Sequence, residues 1–478
     1  MIFNTLQFVP FFLLVLILHL MLPWRRDKQF LLLASLFFYA TFDPPFVLLL
    51  AGQSFIDWHI ARAIDRSNDP AKRRALLIAS LCLNLGSLFF FKYYDFAAGE
   101  LDRLTRSLGV ELRFPGLGLV LPVGISFYTF HTLSYIIDVY RRRVPTAPLL
   151  DYMLFVSFFT QLVAGPIVRA GHMLPQLRRK RIPSFRLASL GLWLVLLGYV
   201  KKIVFADNLA NFVGAVFANP WAFPAGDRAA ALLGFAVQIY CDFSGYSDIA
   251  IGLCLLLGIR LRRNFRLPYL ARGLSDFWRR WHISLSSWIR DYLYIPLGGS
   301  RQGEGRTIFN LVFVMTLCGL WHGATWMYVL WGLLHGVGLA AERTMESCVT
   351  AAPRKASDAI AAIRATPIYR AIATGVTFAF VVSTWAFFRA QTPDDALQMI
   401  AGLWRAVFDL TRGVLPVPRD EWIYIFAVAG LHGALFLRNE MTDSRRVHPT
   451  WRAVAAAALA FLIFVSWESS NAFIYFQF

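Results

Sequence analysis

Apolar runs recur from one end of this chain to the other, many of them about long enough to cross ~30 Å of hydrocarbon. Candidate segments lie near 2–22, 30–42, 46–61, 75–97, 117–138, 150–168, 186–206, 229–257, 308–323, 325–341, 368–388, 421–437 and 452–468. Within lipid a chain satisfies its backbone only in helices or closed barrels, and runs of this length are helical. Of the 478 residues 57% are hydrophobic and only 16% charged, whereas soluble domains carry about 25% charged residues. The expected fold is therefore all-α and multi-spanning, one polytopic membrane domain over residues 1–478. The run Ile2 to Leu22 has no basic start and no small-residue cleavage site, and it leads into Pro23-Trp24-Arg25-Arg26. It reads as a retained span rather than a signal peptide.

The net charge of +18 comes from short Lys and Arg clusters between apolar runs. The positive-inside rule and anionic membrane lipid account for these, so nucleic acid is excluded as a partner. Arg25 to Lys28, Lys72 to Arg74 and Arg141 to Arg143 are expected on the cytoplasmic side, with the N-terminus outside. The five cysteines are scattered without a CxxC pair, which supports neither a disulfide framework nor a zinc site; they read as buried packing residues.

Four stretches depart from simple spans. Asp43-Pro44-Pro45 is expected to hinge two short helices. Segment 150–168, basic on both flanks and interrupted by Ala164-Gly165-Pro166, is expected to be re-entrant and buried by protein or lining a cavity. In 258–307, arginines alternate with aromatics. There Phe277, Trp281, Leu285 and Trp288 fall at i, i+4, i+8 and i+11, the pattern of one amphipathic helix at the membrane interface. The polar stretch 343–367 reads as a cytoplasmic loop.

Among nine histidines, His322 is the foremost candidate for chemistry. It is an ionisable group between two apolar runs, flanked by Gly319, Gly323 and Ala324, which allow a backbone or ligand to come close. His282 lies among Arg279, Arg280 and aromatic side chains, surroundings suited to an aromatic or phosphate-bearing ligand. His335, thirteen positions after His322, is expected on the wall of the same cavity, with Trp321. Asp242, in a Tyr-Cys-Asp-Phe-Ser-Gly-Tyr-Ser-Asp cluster, is either a cavity wall or internal polar glue. His19, His59, His131, His172, His432 and His448 are read mainly as packing or interface residues. No GxSxG, P-loop, GxGxxG or HExxH occurs, which leaves a buried histidine base as the available chemistry.

Six blocks resemble the bacterial membrane-bound O-acyltransferases, most closely the branch acting in alginate O-acetylation. They are 121–130, 134–140, Gly165-Pro166-Ile167, 242–248, 277–285 and Gly319-Leu320-Trp321-His322-Gly323. The resemblance implies tilted helices around a central tunnel, catalysis by His322 with His282 as second histidine, and acetyl-CoA or another acyl thioester as donor. It further implies a bacterial inner-membrane enzyme that passes acetyl groups outward to a polysaccharide, alginate foremost, through periplasmic SGNH-type acetyltransferase subunits. Cellulose, peptidoglycan and teichoic acid are the alternative polymers within the class. A polysaccharide transporter without chemistry of its own is the rival outside it.

Residues 470–478 form an uncharged aromatic tail. It reads either as an interface anchor or, through Phe473, Tyr475 and Phe478, as an F-x-Y-x-x-F pattern resembling acyl-relay tails of the related D-alanyl transfer system. In the second reading Tyr475 carries the acyl group.

Overall fold

The computed structural model describes residues 1–110, 112–163, 165–412, 420–438 and 449–466. Every regular element among them is helical. Among the described residues four helices are long and apolar enough to cross a membrane: Pro70–Ser107, Phe185–Ala218, Ala225–Leu256 and Pro367–Arg389. Other expected segments form helices that do not combine that length and apolarity, such as Pro44–Arg66, Glu304–His322 and Trp326–Ala351, or are broken. The chain divides into two compact units, residues 1–197 with 246–263 and residues 198–245 with 264–478.

In the first unit the Asp43 hinge forms as expected. Helix Trp24–Ala40 ends before it, and helix Pro44–Arg66 begins with proline at its first positions, where no backbone donor is lost. Segment 117–138 becomes helical only at Ile125, because Gly124 adopts φ 76° and starts the helix Ile125–Tyr140. A Cβ on Gly124 would fall onto the carbonyl oxygen of Leu162, so glycine is required there on two counts. That carbonyl belongs to segment 150–168, which is broken earlier than the glycine and proline suggest. Helix Leu149–Ser157 stops at Phe158 (ψ 118°), and a single turn Phe159–Leu162 follows. Leu154 to Val163 are all buried, which is the condition under which broken backbone is tolerated at membrane depth.

Polar ties hold these helices together. Asn84 donates to the buried carboxylate of Asp57 at 2.8 Å and accepts from Thr132 at 3.0 Å, joining three helices. His19, read from sequence as an unremarkable span end, is a buried partner of Asp27 at 2.9 Å. Each such buried bond contributes about 1 kcal/mol net, and losing one partner costs about 1–3 kcal/mol.

The second unit contains the antiparallel hairpin Glu304–His322 and Trp326–Ala351. Its two helices touch through glycine: a Cβ on Gly319 would meet the Tyr328 carbonyl, and one on Gly332 the Met315 carbonyl. The stretch expected as a loop at 343–367 is instead helical, as the end of Trp326–Ala351 and then Arg354–Ala365. Ion pairs Arg343–Glu304 and Arg364–Glu346, at 2.8 and 2.9 Å, satisfy its charges along the helix surface. Of the cysteines, Cys241, Cys254 and Cys318 are buried as expected, but Cys82 and Cys348 are exposed on helix surfaces.

Candidate active site

The four aromatic and aliphatic residues expected on one amphipathic face are all buried, but the helix carrying them is not continuous. Helix Leu274–Arg280 ends at Trp281, His282 takes the left-handed conformation (φ 42°, ψ 54°), and helix Ile283–Ile289 starts afresh. The cause lies 18 residues upstream. The Asn264 side-chain carbonyl accepts from the backbone N–H of Ser284 at 3.1 Å and from the Ser284 hydroxyl at 2.9 Å. The Asn264 backbone carbonyl accepts from Ile283 N–H at 2.9 Å, and Arg266 N–H donates to the Arg280 carbonyl at 2.9 Å. These bonds satisfy the first donors of the second helix and make the corner favourable where periodicity alone predicts a helix. The N-terminus of the first short helix is capped by the Glu342 carboxylate, which accepts from Leu274 N–H.

The corner removes His282 from the interface and buries it completely. Its Nδ1 lies 3.3 Å from Asn264 Oδ1, an acceptor, so Nδ1 carries the proton and Nε2 the lone pair. Nε2 is buried and finds no hydrogen-bond partner among the described residues. The ring stands edge-to-face with Phe243 at 4.6 Å and lies 6.3 Å from Trp321. Burial pushes the imidazole down to about 3, so it is neutral at physiological pH. The cations expected around it point elsewhere: Arg280 pairs with Asp276 at 2.9 Å, and Arg279 is largely exposed. The result is a neutral imidazole oriented through one nitrogen with a free lone pair at the other, the geometry of a hydrogen-bond acceptor.

His322 is the last residue of helix Glu304–His322 and is 4% exposed. Its ring is set by three aromatics, Trp321 at 4.8 Å, Trp331 at 5.1 Å and Phe388 at 5.2 Å, the last two from other helices. Trp321 thus packs near both His282, at 6.3 Å, and His322, at 4.8 Å. His335 joins the same cluster by a route the residue spacing does not give. The helix breaks between His322 and Trp326, and hairpin packing brings Trp331 of the second helix within 5.1 Å of His322, while His335, one turn further along that helix, lies 4.9 Å from Trp331. Trp278, 5.4 Å from His335, also lines an apolar cavity of about 210 Å³ with Met315, Cys318, Leu339, Arg290 and Tyr294. Cys318 is one turn before His322.

Asp242 stands with a cation. Lys202, buried in the π-helical stretch Val200–Asp207, lies 2.7 Å from both Asp242 and Asp207. His131 is buried in the first unit against Phe155. Phe473, Tyr475 and Phe478 lie outside the described residues. Among the described residues no group of three or more His, Cys, Asp or Glu side chains is arranged to hold a metal. The sequence reading missed Asn264, Trp331 and Thr384. None carries a local signal, since each acts through a contact distant in sequence or through a helix register that only packing defines.

The site thus gathers three buried histidines, His282, His322 and His335, among aromatic side chains of a helical membrane protein. The profile of the membrane-bound O-acyltransferase family matches residues 124–373, a span that includes His282, His322 and His335. The chain is 39% identical to a probable alginate O-acetylase of Pseudomonas aeruginosa, over 84% of this chain and 74% of the relative. It is 35% identical to one of Pseudomonas putida over the whole of both chains. It is 38% identical to a peptidoglycan O-acetyltransferase of Helicobacter pylori, over 79% of this chain and 73% of that relative. The chain belongs to the membrane-bound O-acyltransferase family and is an O-acyltransferase.

Proposed function

We propose that this enzyme takes an acetyl group from a cytoplasmic thioester, acetyl-CoA or another acyl thioester, and passes it across the bacterial inner membrane for O-acetylation of an extracellular polysaccharide. The observation that carries the reading is the pair of buried imidazoles, His282 and His322, both packed near Trp321. His322 accepts the proton of the attacking hydroxyl as its oxygen bonds to the acetyl carbon. The carbon–sulfur bond then breaks, and the proton passes to the departing thiolate. Base catalysis of this kind contributes about 10²–10⁴-fold in rate. His282 accepts a hydrogen bond from donor or acceptor through Nε2, and the apolar cavity at Cys318 receives the arm of the thioester. In the same reading Tyr475 takes the acetyl group as a phenyl ester, which keeps it activated, since a phenol of pKa ~10 leaves more readily than an alkyl alcohol. A periplasmic SGNH-type subunit then places it on the polymer.

Alginate is the favoured polymer, and peptidoglycan is the second reading because a relative named for it is similar to nearly the same degree. The test is His322→Ala in a strain that acetylates each polymer through this enzyme. Acetyl content falls to background while the variant accumulates in membranes at the wild-type level. Near-normal acetylation would overturn the assignment, and the polymer whose acetyl content falls is the substrate.

A further inference from the structure

The buried cluster contains a hydrogen bond whose direction can be read. Thr384, on helix Pro367–Arg389, donates its hydroxyl proton to the Val381 carbonyl at 2.8 Å. Its oxygen is therefore the acceptor in the 3.0 Å contact with His335 Nε2, so His335 carries its proton on Nε2. Nδ1 of His335 then holds a buried lone pair with no hydrogen-bond partner among the described residues. One turn earlier on the same helix, the buried indole N–H of Trp331 has no acceptor among them either. Buried polar atoms left in this state cost about 1–3 kcal/mol each and call for an explanation beyond packing.

The ring geometry shows what these two side chains hold in place. Trp331 stacks on Trp385 at 5.7 Å with planes 15° apart, meets His335 at 4.9 Å, and presents itself at 88° to His322 at 5.1 Å. The indole thus packs against both His335 and His322. Rotation of the His335 ring is opposed on its far sides by Trp278 at 5.4 Å and Phe380 at 5.5 Å, and its tautomer is fixed by Thr384. A valine at 384 would keep the volume but remove the acceptor, leaving His335 free to exchange tautomers and Trp331 free to tilt.

We propose that Thr384 and His335 are positioning residues for acyl transfer. They lock Trp331, and Trp331 holds the His322 imidazole at the angle its reaction needs. This rests on the reading of His322 as the base. His335 and Thr384 touch no reacting atom. Their effect appears in turnover and not in donor affinity, because displacing a catalytic group by about 1 Å costs up to about 10²-fold in rate.

The experiment uses the full-length protein in membranes, with steady-state kinetics of acetyl transfer for Thr384→Val, Thr384→Ser, Trp331→Phe and the Thr384→Val/Trp331→Phe pair. Thr384→Val lowers kcat at least about 10-fold with KM for the thioester unchanged, and Thr384→Ser, which keeps the hydroxyl, restores it. Because Thr384 acts through Trp331, the double variant turns over no more slowly than Trp331→Phe alone. Multiplicative effects in the double variant, a rise in KM alone, or wild-type turnover in Thr384→Val would each overturn the proposal. Should Thr384→Val not accumulate in membranes, Thr384→Ala replaces it under the same criteria. His322→Ala runs beside them: activity surviving that change sinks the base assignment, whereas its loss together with full activity of Thr384→Val sinks only the positioning role.

Discussion

The side-chain carbonyl of Asn264 accepts the backbone N–H of Ser284 at 3.1 Å, and through that bond one residue turns a would-be helix into the corner that buries His282. The same oxygen receives the Ser284 hydroxyl and faces His282 Nδ1, so its removal takes one acceptor from three donors at once. Asn264→Leu is expected to destabilise the protein by about 2–4 kcal/mol, given about 1–3 kcal/mol for each buried group left unsatisfied and partial relaxation of the corner. Thermal unfolding in detergent measures this, and a variant as stable as wild type would show that the corner forms without the bond.

Legibility from sequence followed the range of the interaction. The all-helical membrane class, the Asp43 hinge and the burial of Phe277, Trp281, Leu285 and Trp288 were readable because hydropathy and proline act locally. The break at His282 was not, since four residues at helical spacing still look helical when a partner 18 positions away takes over the backbone donors. Stretch 343–367 failed for a similar reason. Its polarity suggested a loop, while Glu304 and Arg364 supply partners that let a charged helix persist. His322 stood out as an intramembrane ionisable group, but Trp331, which packs against it, and Thr384, which is bonded to His335, are ordinary residues for an apolar helix.

Lys202 pairs with Asp207 and Asp242 while almost fully buried, so removing the cation strands carboxylates away from water. Lys202→Met is expected to cost about 3–5 kcal/mol, the usual penalty for breaking a buried pair from one side. Adding Asp242→Asn and Asp207→Asn recovers much of it. Membrane-fraction abundance and melting temperature report both steps, and a benign single change would mean that the triad is solvated.

The hairpin contact leaves no room for a side chain at Gly319 or Gly332, whereas Gly375, on a different helix, has open space around it. Gly319→Ala and Gly332→Ala each drive a Cβ into a backbone carbonyl and should cost about 1–3 kcal/mol through overpacking. Gly375→Ala, in helix Pro367–Arg389 with nothing within 4 Å, should stabilise by about 0.5–1 kcal/mol. Equal melting temperatures for the three would contradict the close approach.

Tyr475→Phe removes a hydroxyl and keeps an aromatic ring. If the tail relays the acetyl group, polymer acetylation is lost while thioester consumption by water or small alcohols persists; if it is only an anchor, acetylation is unchanged. Acetyl content of the secreted polymer, set against release of free thiol, separates the two.

His282 combines a left-handed backbone with a buried, oriented imidazole, and substitutions can address these separately. Asparagine and glycine accept a left-handed conformation, whereas alanine there costs about 1–2 kcal/mol in backbone strain. His282→Asn and His282→Gly should therefore keep the corner more nearly intact than His282→Ala, yet all three remove the Nε2 lone pair. The imidazole also makes the fold acid-sensitive. Its value is about 3 in the folded protein against 6.5 in an unfolded chain, so the unfolded state binds the proton first. Stability from this group is present above about pH 6.5, and is lost progressively as pH falls toward 3. In His282→Asn that part of the acid sensitivity disappears, so the stability difference from wild type narrows as pH is lowered across this window. Acetyl transfer by His282→Asn should fall about 10–100-fold if Nε2 holds donor or acceptor in place. Melting curves at pH 7 and pH 5 together with turnover decide it: a stable variant with full activity would leave His282 a corner residue and nothing more.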